Sequence, residues 1–378
     1  EPPATWTSHS VGRLPWRRLL PPLAGIAPGL ALVNQVELDR LRAVPGADLG
    51  RYALGALLAV VAVDCWTWYP LRNAGWLRVT GSDLDVTTAV TVPCTVKAVG
   101  KVAVSARHFN EVVRKIPRGL LQLTIAGEQC EVRYGDGKGW SRFPIQDASD
   151  FPRVPELKAE TQAALAGDAL ARLITRTLYA ASTDATRPNL SGVFIQGGDK
   201  QITCVATDGH RLAKASRKGA FGSLGKDGVI VPTRALAAVS RAAEEATSPV
   251  SIEVAAGKNQ AGFTTQVGDF KVQILARLLQ GPYPNYEQVI PKSNPRELKA
   301  MRMDLMEAVD IVASHADNVT RQVRFSLGPK SLGISSATEL GAGEHRVAAE
   351  YKGEPMEVGY NAPYLLDGLR CIPTEQGL

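Results

Sequence analysis

A chain of 378 residues is too long for one ordinary hydrophobic core, so two or three domains are expected. Its apolar fraction of 45% and charged fraction of 21% exclude a membrane bundle and a disordered tail and fit a globular protein. The formal charge of +6 and pI near 9.0 suit a polyanionic partner, and equally suit a protein that is merely basic.

In chain order, residues 52–63 form a nearly continuous apolar run that Asp64 ends after 12 residues, short of the ~20 a bilayer span needs. No signal-peptide grammar precedes it, and a start at Glu1 rather than Met reads as a cut or misread beginning. Leu77 to Asp83 reads as a strand running into a turn, with Leu77 and Val79 on one buried face. Ser105 to Pro117 predicts an amphipathic helix with Phe109, Val112, Val113 and Ile116 inward and Arg107, Arg114 and Lys115 outward. Cys130–Tyr134 and Trp140–Phe143 read as two strands of a hairpin with Gly135–Gly139 at its tip. That glycine-rich tip is neither a P-loop nor a dinucleotide fingerprint. Asp150–Pro155, with two prolines, reads as a link between domains.

Asp168 to Ser182 predicts a second helix, burying Leu170, Leu173, Ile174, Thr177 and Leu178 and setting Arg172 and Arg176 at i, i+4 on another face. Ile202–Asp208 is a further strand and turn. Thr233 to Glu245 is a helix with Leu236, Val239 and Ala243 inward and Arg234 and Arg241 outward. Pro291–Pro295 reads as the next link. Asp304 to Asp317 predicts a helix of a different kind, with Asp304, Glu307 and Asp310 and almost no positive charge. Leu332–Thr338 is again a strand, and Leu365, Leu369 and Arg370 mark a last helix.

Two of these patterns recur. The strand and turn starting at Leu77 returns at offsets of 125 and 130 residues, and the helix carrying Phe109 and Arg114 returns at 127 and 129. A period near a third of the chain makes each unit a full α+β domain with its own core. A basic residue at one place of each repeat suits contact with duplex phosphates, which positions a protein without reading bases and weakens with salt. The bland alternative for any one arginine is a solvated helix face.

Catalysis finds no support. His210 beside Asp208 lies in a turn, where neighbours seldom point together, and no nucleophile motif accompanies them. His9, His108, His210, His315 and His345 lack metal-ligand spacing. Cys65, Cys94, Cys130, Cys204 and Cys371 form neither a C-x-x-C pair nor a disulfide frame, and free thiols suit a reducing cytoplasm. No catalytic residue, metal or cofactor is expected.

From about Trp76 onward the chain resembles the bacterial DNA polymerase III beta subunits, the beta sliding clamps. Ala206-Thr207-Asp208-Gly209-His210-Arg211-Leu212-Ala213 resembles the family's second-domain signature, and Gly81-Ser82-Asp83-Leu84-Asp85 its first-domain turn. Gly281–Tyr286 with Val289-Ile290-Pro291 resembles the link into the third domain, and Gly359–Asp367 the start of the third-domain helix. Four ordered motifs are far more specific than one.

The resemblance implies an α+β fold of three repeated DNA-clamp domains, with helices lining a central hole and antiparallel sheets outside. Two chains would close head to tail into a homodimer ring around double-stranded DNA. The ring would tether the DNA polymerase III catalytic subunit as a processivity factor, with a clamp loader and other proteins bearing a clamp-binding motif as further partners. The expected division is residues 76–155, 156–291 and 292–378, preceded by an aberrant segment 1–75. Arg107, Arg114, Lys115, Arg172, Arg176, Arg234 and Arg241 are the expected DNA contacts. By position in the family motifs, a groove for partner peptides between the second and third domains would use Leu190, Thr207, Gly209, His210, Arg211, Leu212, Pro284, Val289, Asn361 and Tyr364. Leu190, Leu212, Pro284 and Val289 would give it an apolar floor, while Asn361 and Thr207 would satisfy peptide backbone groups.

Residues 1–75 depart from the family. Asp64-Cys65-Trp66-Thr67-Trp68, back-translated and read from the third base, spells Leu-Leu-Asp followed by Leu, Met or Val, whatever the codon choice. The expectation is a frame error restored near Trp76, against a divergent but genuine N-terminus. The stop at Leu378 leaves the third domain short of the family's last strands, which points to a truncated gene. A defective clamp relic and a repeat scaffold that binds only proteins are the alternatives.

Overall fold

The computed structural model describes residues 4–7, 67–70, 75–83, 85–117, 119–154, 156–198, 200–225, 227–339, 341–373 and 376–377. The apolar run 52–63 and nearly all of the segment read as out of frame lie outside the described residues.

The strands are β1 (Ala4–Thr7), β2 (Thr67–Pro70), β3 (Trp76–Ser82), β4 (Val86–Pro93), β5 (Thr95–Val96) and β6 (Ala103–Val104), followed by helix α1 (Ala106–Val113). Then come β7 (Gln122–Ala126), β8 (Gln129–Tyr134), β9 (Gly139–Gln146), β10 (Ala159–Leu165) and α2 (Gly167–Leu178). Next are β11 (Gly192–Gly198), β12 (Gln201–Thr207), β13 (Leu212–Lys218), β14 (Gly222–Ser223), β15 (Val229–Pro232) and α3 (Thr233–Glu244). They continue with β16 (Val250–Ala255), β17 (Gln260–Val267), β18 (Phe270–Arg277), β19 (Glu297–Met301) and α4 (Arg302–Ala313). The last are β20 (Gln322–Leu327), β21 (Ser331–Thr338), β22 (Gly341–Lys352), β23 (Met356–Asn361), α5 (Ala362–Cys371) and β24 (Gln376–Gly377). The repeat is visible in this order. The strands β3, β12 and β21 stand in equivalent places, and so do the helices α1, α3 and α5.

The fold separates into two bodies, one of residues 1–206 and 214–282, the other of 207–213 and 283–378. In the first body an eight-stranded antiparallel sheet runs β14-β10-β16-β17-β18-β4-β3-β2. Strands β18 and β4, from different repeats, pair from Lys271 with Thr91 to Ala276 with Val86, so one hydrogen-bonded ladder joins the first two repeats. A second sheet, β5-β1-β7-β8-β9-β6, backs α1, and a third runs β13-β12-β11-β15. The second body holds the sheet β23-β20-β21-β22-β19-β24.

Each repeat has its own core. In the first, Phe109 and Val113 of α1 meet Val104, Leu123, Cys130, Val132 and Phe143. Phe109 and Phe143 pack edge to face with centroids 5.0 Å apart, a pair adding about 0.5–1.5 kcal/mol beyond its buried area. In the second, Leu170, Ile174, Leu236 and Val239 are buried with Ile195, Ile252 and Ile274 of the strands. Gly167 lies where α2 begins against the end of α3; a Cβ there would sit 2.2 Å from the Ala243 carbonyl oxygen, so only glycine allows this approach. In the third, Leu305, Val309 and Val312 of α4 and Leu366 and Leu369 of α5 close over Val323, Phe325, Leu332 and Ile334.

Several expectations need correction. Alternation holds in β21, where Leu332 and Ile334 are fully buried and Gly333 is not. It fails in β12, where Ile202 to Ala206 are all buried, because a strand covered on both faces needs no polar side. It fails also in β3, where Leu77 and Val79 are only partly buried while Thr80 to Ser82 are buried outright. The helices end early. Lys115 and Ile116 donate to the carbonyls of Val112 and Val113, three residues back, so the chain tightens after Val113 as it approaches Pro117. Helix α2 ends at Leu178 by the same tightening at Ala180 and Ala181. Helix α4 starts at Arg302, two residues before the acidic stretch, and so carries a cation in its first turn.

Candidate partner-binding site and basic helix faces

Between β12 and β13 the chain must reverse within four residues. Gly209 takes φ of 92°, a left-handed conformation that favours glycine. Asp208 holds the turn from inside, its Oδ1 accepting the N–H groups of His210 at 2.9 Å and Arg211 at 3.0 Å. Thr207 closes it: its hydroxyl donates to the Arg211 carbonyl at 2.7 Å and accepts from the Gly209 N–H.

Arg211 leaves this turn with its guanidinium tied down. Its Nε donates to Asp208 Oδ2 at 3.1 Å and its Nη1 to Asp367 Oδ2 at 2.8 Å. Its Cζ lies 4.3 Å from the centroid of the Tyr364 ring, a cation–π distance. His210 lies near-parallel to the same ring at 6.3 Å. Tyr364 and Asp367 both stand on α5, three residues apart and so on one face. Asn361 caps that helix: its Oδ1 accepts the Tyr364 N–H at 3.2 Å, and its Nδ2 donates to the Thr320 carbonyl at 3.0 Å.

The expected groove residues thus divide. Thr207, Gly209, His210, Arg211, Asn361 and Tyr364 form one connected cluster in the second body. Leu212, half-buried, follows it directly. Pro284 and Val289 lie in the segment before β19 and are exposed, Val289 at 69%. Leu190 belongs to the first body, where it is buried and its carbonyl accepts the Ser182 N–H. The polar groups of Asn361 and Thr207, expected to meet peptide backbone, serve a helix cap and a turn in this structure. Sequence reasoning missed Asp367 and Tyr283. Burial pushes the Tyr283 phenol up to about 12, against a hydrogen bond with the Thr207 backbone.

The basic residues also divide. Arg234 was expected to face phosphates. In this structure it pairs with Asp83, whose carboxylate is only 3% exposed, and so ties α3 to the turn between β3 and β4. Arg172 pairs with Asp168 one turn back, and this bond holds the Asp168 carboxyl below its ordinary range. Arg107 lies 3.6 Å from Glu111. Burial pulls Arg241 below the usual guanidinium range. Lys115 is exposed, and Arg114 and Arg176 are half-buried. All seven stand on or directly after α1, α2 and α3.

Cys94, Cys130 and Cys204 are free thiols, and burial raises Cys130 and Cys204 to about 12. Among the described residues no group of three or more His, Cys, Asp or Glu could hold a metal ion. No helix among them is long and apolar enough to cross a membrane.

Three family models match in order along the chain. The N-terminal domain of the DNA polymerase III beta subunit matches residues 72–155, its central domain 164–285 and its C-terminal domain 287–376. The beta sliding clamp of Caulobacter vibrioides is 31% identical over 297 residues, covering 77% of this chain and 78% of that protein. The beta sliding clamp of Pseudomonas aeruginosa is 32% identical over 304 residues, covering 79% and 80%. Among solved structures, the P. aeruginosa DNA polymerase III subunit beta superposes with a TM-score of 0.75 at 28% identity, over 85% of this chain and 88% of that one. A sliding clamp from Bartonella birtlesii bound to griselimycin gives 0.79 at 25% identity, over 99% and 92%.

Proposed function

Since the chain belongs to the DNA polymerase III beta subunit family and is a DNA sliding clamp, we propose that two copies close into a ring around duplex DNA and hold the polymerase catalytic subunit there. The succession of three clamp domains carries this reading. A closed ring needs no tight contact with its thread, so weak, salt-screened contacts from helix cations suffice and permit sliding. Arg107, Arg114, Lys115, Arg172, Arg176 and Arg241 are the proposed phosphate contacts. Arg234 contributes to them only where it can be spared from Asp83. Polymerisation itself belongs to the partner, and the setting is the cytoplasm.

The cluster built on Thr207, Gly209, His210, Arg211, Leu212, Asn361 and Tyr364, with Pro284 and Val289, is the proposed landing site for partner peptides, including those of the clamp loader. The exposed Pro284 and Val289 support this, since an apolar surface left open to water favours an apolar anchor.

The test is topological. Loaded by its clamp loader, the protein should stay on closed circular DNA through gel filtration and be lost when one cut linearises the circle. Equal retention on both forms would overturn the ring. Retention on neither, with polymerase binding intact, would favour the protein-only scaffold.

A further inference from the structure

We infer that Asp367 is a positioning residue of the proposed peptide site: it locks the Arg211 guanidinium against Tyr364 and so shapes the surface on which a partner's apolar anchor lands. The inference rests on the peptide-site reading above.

Arg211 is fixed by two carboxylates from two different elements, Asp208 in its own turn and Asp367 on α5. One carboxylate would fix the guanidinium's place; two at different nitrogens also fix its plane. The plane matters because that group covers the Tyr364 ring at 4.3 Å. Asp367 is itself held: its other oxygen accepts from Arg370 Nη1 at 3.3 Å, one turn on along α5. The chain of contacts Asp208–Arg211–Asp367–Arg370 carries two negative and two positive charges. A charge-balanced cluster, in a proposed site that also takes the exposed Pro284 and Val289, favours an uncharged, apolar anchor over a charged peptide. Without the Asp367 carboxylate, Arg211 keeps its Asp208 bond but loses the contact that sets its tilt. The guanidinium then samples several orientations over the site, and ordering it again opposes binding.

The experiment uses the full chain with the DNA polymerase III catalytic subunit immobilised on a biosensor. Asp367→Asn should weaken binding about tenfold, mainly through faster dissociation, with Tm within about 2 °C of the parent. Asp367→Glu should recover most of the loss. In an Arg211→Met background, Asp367→Asn should change nothing further, because its effect runs through Arg211. A purely structural role would instead lower Tm and add its effect to that of Arg211→Met. Unchanged affinity of Asp367→Asn, or strict additivity with Arg211→Met, would overturn the inference. Leu212→Asp separates the two claims. If it abolishes binding while Asp367→Asn does not weaken it, the site stands and the positioning role falls. If the parent chain does not bind, or Leu212→Asp binds as well as the parent, the site reading falls and the inference with it.

Discussion

The turn at Asp83 and the turn at Asp208 occupy equivalent places in two repeats and use one backbone device. Each aspartate spends Oδ1 on two backbone N–H groups, those of Asp85 and Val86 in one turn and of His210 and Arg211 in the other. Each spends Oδ2 on an arginine, and there they part. Asp83 reaches a distant one, Arg234 on α3. Asp208 takes Arg211 from its own turn, and Arg211 passes the contact on to Asp367 of α5. The interposed arginine reverses the sign of charge the helix must bring: α3 supplies a cation, α5 an anion. Repetition fixed the backbone and left the electrostatic partner free to differ, so the two junctions are not interchangeable.

The widest difference between the turns should appear when the arginine is removed. Arg234→Met leaves the nearly buried Asp83 carboxylate without its cation. It should cost about 2 kcal/mol, less than for a wholly buried pair because Arg234 is 38% exposed. Urea unfolding monitored by circular dichroism would read it, and an unchanged midpoint would mean that solvent already satisfies Asp83. A smaller effect, roughly 1 kcal/mol, is expected for Gly209→Ala, which forces an L side chain to φ of 92° in the second turn. The same denaturant series measures it, and a neutral result would show that the turn relaxes to negative φ. At the low end, Arg172→Gln breaks an exposed ion pair and should leave the urea midpoint essentially unchanged. It sets the scale for an arginine whose pairing is only local. A large loss there would remove the contrast between Arg234 and the other helix cations.

Much of this was readable in advance, for reasons that differ by residue. Leu236, Val239 and Ala243 of α3 announced a buried face because their spacing follows the helical period. Asp208 announced its turn because the interaction is local. Arg234 announced a basic face and nothing more, since its partner lies 151 residues away and no spacing rule spans that distance. Asp367 was hidden likewise: within α5 it reads as one more surface carboxylate, and only the fold brings Arg211 to it. Asn361 carried a second, local signal that went unused, an asparagine just ahead of Ala362 and Pro363 at a helix start. The uniform burial of Ile202 to Ala206 defeated a rule that assumes one face of a sheet is wet.

The ladder between β4 and β18 sets an order of events during synthesis. Thr91 leaves the ribosome 180 residues ahead of its partner Lys271. At about 5–20 residues per second, β4 therefore waits roughly 10–40 s with that edge unsatisfied. An open edge of Val86 to Pro93 is a template for pairing with any neighbouring nascent chain. The first repeat thus reaches its final sheet only after the second is nearly made, and in that interval a chaperone that covers strand edges would raise the yield of folded clamp.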